Sequence, residues 1–150
     1  MNNWFIVFSL MSQRYALDLS KVEKAVRIVE VSPLPQAPEI VLGIINFHGL
    51  IVPVINMRRR FGLPEREIEL SDQLIIARTS RRMVGLVVDE VIAAAEYPEQ
   101  VIAAGENILP GMDHVAGVVK LQDGLILIND LDKFLSIEEE ASLEQAMEAV

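Results

Sequence analysis

Gly43-Ile44-Ile45-Asn46-Phe47-His48-Gly49-Leu50-Ile51-Val52-Pro53-Val54-Ile55 decides how this chain folds. Two short aliphatic runs flank His48-Gly49, a pair suited to a tight turn, so the segment reads as strands at 43–47 and 50–55. Each run is apolar on nearly every residue, so both faces should be covered, as in small closed barrels. Working outward, similar runs predict strands at 4–10, 14–19, 25–30, 73–79, 82–88, 91–96, 115–121 and 124–128. Gly124 marks a second tight turn. Pro33, Pro35 and Pro38 punctuate a loop that no regular ladder tolerates, and Leu63-Pro64-Glu65-Arg66-Glu67 reads as a linker between halves. Short helices are predicted at 56–61, ended by Gly62, and at 129–135. From about residue 136 the pattern changes. Ser136-Ile137-Glu138-Glu139 has capping-box spacing, and the glutamates beside it favour a helix N-terminus, so a C-terminal helix is expected.

The chain also repeats itself. Tyr15 to Val22 aligns without gaps on Val84 to Val91. In the same order Gly43-Ile44-Ile45 matches Gly117-Val118-Val119, and Gly49-Leu50-Ile51-Val52 matches Gly124-Leu125-Ile126-Leu127. Asn56 with Phe61 then matches Asn129 with Phe134. Two copies of one strand-rich unit explain this order; chance likeness among aliphatic strands is the alternative.

Composition narrows the functional classes. The 150 residues suit one compact domain, or two small fused barrels. Hydrophobic residues make up 51% but aromatics only 5%, so aliphatic side chains must fill the core. Without cysteine there is no disulfide framework, thiolate zinc site or cysteine nucleophile. A net charge of -9 argues against nucleic acid as a partner. The longest apolar stretches, such as 40–47, fall well short of the ~20 residues of a spanning helix. Trp4-Phe5-Ile6-Val7-Phe8 lacks a basic lead-in and reads as a first strand rather than a secretory signal. A cytoplasmic protein without direct membrane insertion is the expectation.

The catalytic inventory is poor. His48 and His114 sit in no metal-ligand spacing, and no nucleophile elbow, P-loop or dinucleotide fingerprint is present. Asp89-Glu90 and Asp130 with Asp132 offer carboxylates, but such pairs at strand ends are usually solvated turns. No catalytic, cofactor or metal site is expected. Arg58-Arg59-Arg60 and Arg81-Arg82 are the basic clusters. They read either as charge on a short helix and a hairpin turn or as a docking patch for an acidic partner.

Taken together these segments resemble the CheW family of chemotaxis coupling proteins, from about Trp4 to Leu135. Phe5 to Phe8 and Tyr15 to Asp18 with Lys21-Val22 resemble its opening hairpin and following turn. Gly43 to Gly49 resembles its G-x-x-N-L-R-G motif, and Leu50 to Arg58 its V-I-V-P-V-x-D-L-R stretch. Val84 to Val91 and Ile126 to Asn129 match later strands. The resemblance implies an all-β fold of two SH3-like five-stranded barrels packed on a shared hydrophobic core, with short helices and a C-terminal helix. Residues 1–150 would form one CheW-like domain of two barrel subdomains whose strands need not stay in separate halves, ending in a helical tail at about 136–150. It implies a non-enzymatic adaptor that joins the cytoplasmic tip of a chemoreceptor to the regulatory domain of a CheA-type histidine kinase. Such an adaptor would be a monomer alone and array-forming with its partners. A CheW-like module serving a pilus-motility or surface-sensing pathway is the second reading, and a small-molecule-binding β-barrel or hydrolase the third.

Carried over by position, Val22 and Lys24 fall at the family's kinase-contact turn. Gly43, Asn46, His48 and Gly49 fall in the segment that faces the receptor, and Arg58 at the arginine position after it. Shaping the turn is as good a reading as contact for Gly43, Asn46 and Gly49. Two positions depart from the family, which usually has arginine at His48 and glutamate at Lys24. The first replaces a permanent five-donor fork with a ring that titrates near neutral pH, and the second reverses a charge. Both departures sit where partners are chosen, which points to a specialised paralogue.

Overall fold

The computed structural model describes residues 2–104 and 114–150. Strands β1 (Asn2–Leu10), β2 (Gln13–Asp18), β3 (Val22–Arg27), β4 (Val41–Phe47) and β5 (Leu50–Ile55) lead into helix α1 (Met57–Arg60). Then follow β6 (Gln73–Arg78), β7 (Met83–Val88), β8 (Glu90–Pro98), β9 (Ile102–Ala104), β10 (Val115–Leu121), β11 (Gly124–Asn129) and the C-terminal helix α2 (Ile137–Glu148). Ser136 caps α2, and Glu139 reaches back to the cap, so the expected capping box forms in both directions.

The strands make two sheets. One has six strands in the order β8-β1-β2-β11-β10-β9, the other five in the order β3-β6-β7-β5-β4. Laid side by side, β8, β1, β2, β11 and β10 correspond to β3, β6, β7, β5 and β4. Each sheet has its parallel pair at the same place, β2 with β11 and β7 with β5. The internal sequence matches fall on these equivalent strands: β2 on β7, β4 on β10, β5 on β11. The chain is therefore two repeats, β1–β5 and β6–β11, with strands exchanged. Each sheet takes its first hairpin from one repeat and its remaining strands from the other.

This exchange explains the continuous apolar runs. Along β1, Phe5 and Val7 point into the interior of the six-stranded sheet with Val119 and Ile126. Alternate residues Ile6, Phe8 and Leu10 point into the seam between sheets. Along β6, Leu74 and Ile76 face Val52 and Val54 inside the five-stranded sheet, while Ile75 and Ala77 face the seam. Phe134, Leu143 and Ala146 close the seam from the C-terminal side.

The barrels differ from the closed form expected. Among the described residues neither ladder joins its own edges. In the five-stranded sheet the gap is crossed by one two-way bridge, Ser32 to Ile44, at 2.8 Å in each direction. The third strand, predicted at 25–30, runs earlier, over Val22–Arg27, and Ile28 and Val31 lie beyond its end. They pack partly against the sheet interior as the chain crosses toward β4 rather than extending β3. The corresponding crossing in the other sheet is β9, whose Ile-Ala-Ala carries too little pattern to be read from sequence. The predicted helix at 129–135 is a single 3-10 turn, Leu131–Lys133.

Candidate partner-binding site

The β4–β5 hairpin ends on the pair Phe47 and Leu50, leaving His48 and Gly49 as a two-residue turn. Both have positive φ, 51° and 85°, the backbone that matches the twist of the flanking strands. The Asn46 Oδ1 accepts the Gly49 N–H at 2.8 Å and fixes the turn. Beyond its own chain neighbours nothing lies within 4 Å of where a Gly49 Cβ would stand, so its requirement is conformational. Gly43 is the opposite case. A Cβ there would meet the Ser32 carbonyl, so the glycine keeps the crossing segment seated. His48 is exposed, its ring edge-on to Phe47 at 4.4 Å. Leu50 and Ile51, the first residues of β5, are exposed beside it. The sequence reading missed these two, because aliphatics beside a turn look like ordinary strand ends.

The candidate kinase contacts lie on the other edge. Val22 is half-buried and packs toward the seam, while Lys24 is exposed across a bulge. Register places Lys24 opposite Ile76, Ile76 opposite Gly85, Gly85 opposite Val54 and Val54 opposite Gly43. Lys24 and Gly43 thus end one row across the sheet, one on each edge. The two candidate contact sets belong to one sheet and face different ways.

Arg58 is not grouped with either set. Its guanidinium meets the Asp89 carboxylate at 2.6 Å and the Pro64 carbonyl at 3.3 Å, and its side chain is only 12% exposed. Asp89 also accepts the Met11 N–H and an Arg66 hydrogen bond, so the pair ties α1 to the first hairpin and the linker. Three more arginines of these clusters meet carboxylates. Arg59 pairs with Glu39 and Glu65, Arg60 with Glu139, and Arg82 with Glu140 and Glu144. The acidic groups these arginines meet are the chain's own, and those of Arg60 and Arg82 hold α2 against the body.

Two carboxyls titrate below their ordinary range. Burial alone would raise Asp72, but the Arg66 hydrogen bond and the Glu69 N–H outweigh it. Burial would also raise Glu139, and the Ser136 N–H with Arg60 overcomes that. The Arg66 guanidinium, bonded to Asp72, is held protonated even more firmly than usual. Among the described residues no group of three or more His, Asp or Glu side chains could hold a metal ion. No described helix is long and apolar enough to cross a membrane.

Residues 5–139 match the CheW-like domain family. The chain belongs to that family. The chemotaxis protein CheW of Bacillus subtilis is 30% identical over 139 residues, covering 91% of this chain and 89% of that one. The crystal structure of the scaffolding protein TtCheW from Thermoanaerobacter tengcongensis superposes with a TM-score of 0.84 at 31% identity. That superposition covers 93% of this chain and 96% of TtCheW. Protein FrzA of Myxococcus xanthus is more distant, 24% identical over 135 residues, covering 85% of this chain and 81% of that one. The two-sheet CheW-like fold and the likeness to a scaffolding protein agree with the all-β expectation.

Proposed function

We propose that this chain is a cytoplasmic signalling adaptor without catalysis of its own, coupling the cytoplasmic tip of a chemoreceptor to the regulatory domain of a CheA-type histidine kinase. The observation that carries this is the extended match to a scaffolding protein, together with the pinned turn at Asn46, His48 and Gly49. A rigid turn flanked by exposed Leu50 and Ile51 suits docking, because little order remains to be lost on binding. On this reading the His48 edge, with Gly43 and Asn46 shaping it, takes the receptor. The opposite edge at Val22 and Lys24 takes the kinase. Arg58 contributes by fixing the corner beneath them. The whole chain works as one domain, monomeric alone and assembled into arrays through its partners.

A second reading has specific support. His48 and Lys24 depart from the family's usual residues at both edges, and FrzA lies among the relatives. The chain would then serve a divergent chemosensory cluster, such as pilus motility or surface sensing. A pulldown from native lysate, read by mass spectrometry, tests both. Recovery of a CheA-like kinase with a receptor supports the adaptor and names its pathway. Folded protein that recovers neither sinks the adaptor reading.

A further inference from the structure

Each sheet has two edge strands, and three of these edges are guarded. β4 is crossed by the Ser32 bridge, and β9 is only three residues long. β3 carries Glu23, Lys24 and Arg27, with Glu23 held by Arg78. Shortness, cover and charge are how soluble proteins keep an edge from taking another strand. β8 has none of them. It spans nine residues, pairs on one side with β1, and on the other meets no strand among the described residues. Gln73 accepts the Val91 N–H at 2.6 Å at its start. Beyond that, Ile92, Ala93 and Ala94 are exposed, and Ala93 to Pro98 run in unbroken register against Val7 to Asn2.

The internal repeat shows that the bare edge belongs to one copy alone. Continuing the gapless match of Val22 with Val91 by two residues sets Ile92 and Ala93 against Glu23 and Lys24. The same edge position is charged in the first copy and apolar in the second.

Charge then says what fits. From Asp89 to Gln100 there are four acids and no cation. Asp89 is engaged by Arg58 and Arg66, but Glu90, Glu96 and Glu99 meet no cation among the described residues. These three stand at the two ends of the strand. A second copy of β8 laid antiparallel on the first would bring acid against acid, which disfavours pairing between copies. A strand with basic residues at both ends meets the acids at both. Trp4 is half-exposed and lies opposite Glu96 in register, so an aromatic face stands beside that acid, a setting that favours arginine.

We propose that the β8 edge is a third docking surface, which takes an extended segment of a partner protein by strand addition. That segment is β-branched in its middle, where Ala93 and Ala94 leave room, and basic at both ends. The inference is independent of the adaptor reading, which uses the edges of the five-stranded sheet.

The probe is the peptide acetyl-Lys-Arg-Val-Thr-Val-Thr-Val-Arg-Lys-amide, titrated into the full chain. Trp4 is the single tryptophan, so its fluorescence reports occupancy, and hydrogen exchange locates the site. A saturable change in emission is expected, with slowed exchange of amides within 92–97. A peptide with glutamate at the four basic positions should not bind. One with proline for the central valine keeps the charge but interrupts the ladder, and should bind about tenfold more weakly. Ala94→Lys, which gives the edge a guard, should weaken the original peptide about tenfold. No saturable change, or equal binding of the acidic or the proline peptide, overturns strand addition. Slowed exchange elsewhere, or unchanged binding to folded Ala94→Lys, overturns the location. If that variant does not fold, the exchange map of the unsubstituted chain decides the location alone. A concentration-dependent dimer that protects β8 without peptide would give the edge to a second copy and overturn the basic occupant.

Discussion

The asparagine that follows β5, Asn56, accepts the Arg59 N–H in the first turn of α1 and donates to Glu65 at 2.7 Å. The side chain of its repeat partner Asn129, ending β11, keeps among the described residues only a bond to Leu127. The same divergence runs through the rest of the two copies. One sheet is crossed by a single bridge at Ser32, the other by the whole strand β9. The aliphatic frame of the ancestral unit is preserved because it is buried from both sides. The ends of the strands, where partners and helices are met, have been rewritten separately. The difference separates what the fold requires from what each copy has been free to become.

The aromatic pair Phe61 and Phe134 tests the comparison most severely. Phe134 is fully buried in the seam, whereas Phe61 is only partly buried at its margin and stacks on Tyr15 at 4.5 Å. Phe134→Ala should cost about 3–5 kcal/mol in urea unfolding, and Phe61→Ala clearly less. Equal costs would mean the seam does not distinguish the copies.

The equivalent glycines come next. Alanine at Gly43 would run into the Ser32 backbone, so Gly43→Ala should destabilise by about 2–3 kcal/mol. At Gly117 the added Cβ would lie 3.1 Å from the Ala103 carbonyl oxygen, a milder clash that should cost about 1 kcal/mol. Thermal unfolding of both variants ranks them, and the reverse order would undo the assigned roles of the two crossings.

Two ion-pair clusters, one at the linker and one at the tail helix, differ in burial. The Asp72 side chain is almost fully buried beneath a partner, Arg66, that is 30% exposed, while Glu139 and Arg60 are each about a quarter exposed. Asp72→Asn should cost about 2 kcal/mol and Glu139→Gln about 1 kcal/mol. Both carboxyls have folded pKa values below their ordinary 3.8 and 4.5. Their contribution is therefore present above those values and is lost as pH falls through the lower folded ones. Acid unfolding below about pH 4 should be shallower in Asp72→Asn than in the unsubstituted chain.

The smallest effects on stability belong to the exposed edges. His48→Arg and Lys24→Glu should each change stability by no more than about 0.5 kcal/mol. If the chain is a specialised paralogue, they should raise affinity for conventional CheW partners, measured by calorimetry. No gain from either substitution would count against the specialisation.

Much of this was legible in the sequence because it depends on local pattern. The runs at 50–55 and 115–121 are strands over those residues, and the order of the repeat matches landed on equivalent strands. The capping box at Ser136 needed only four residues to read. The strand exchange was not legible, since alternation cannot say which sheet a face will meet. Nor was the fate of the arginines. Arg58, Arg60 and Arg82 meet carboxylates 31 to 79 positions away in sequence, and only the folded chain brings those together. Asn46 and Gly49 could be read as turn residues from their types alone, whereas the clash that explains Gly43 involves a crossing segment that pattern did not place.

The most direct test of the coupling role is kinase autophosphorylation in membranes carrying the cognate receptor, measured with and without this chain. The account predicts receptor-dependent kinase activity that appears only when the chain is added, and that the receptor's ligand then modulates. Kinase activity that is the same with and without the chain, with all three proteins folded, would contradict it.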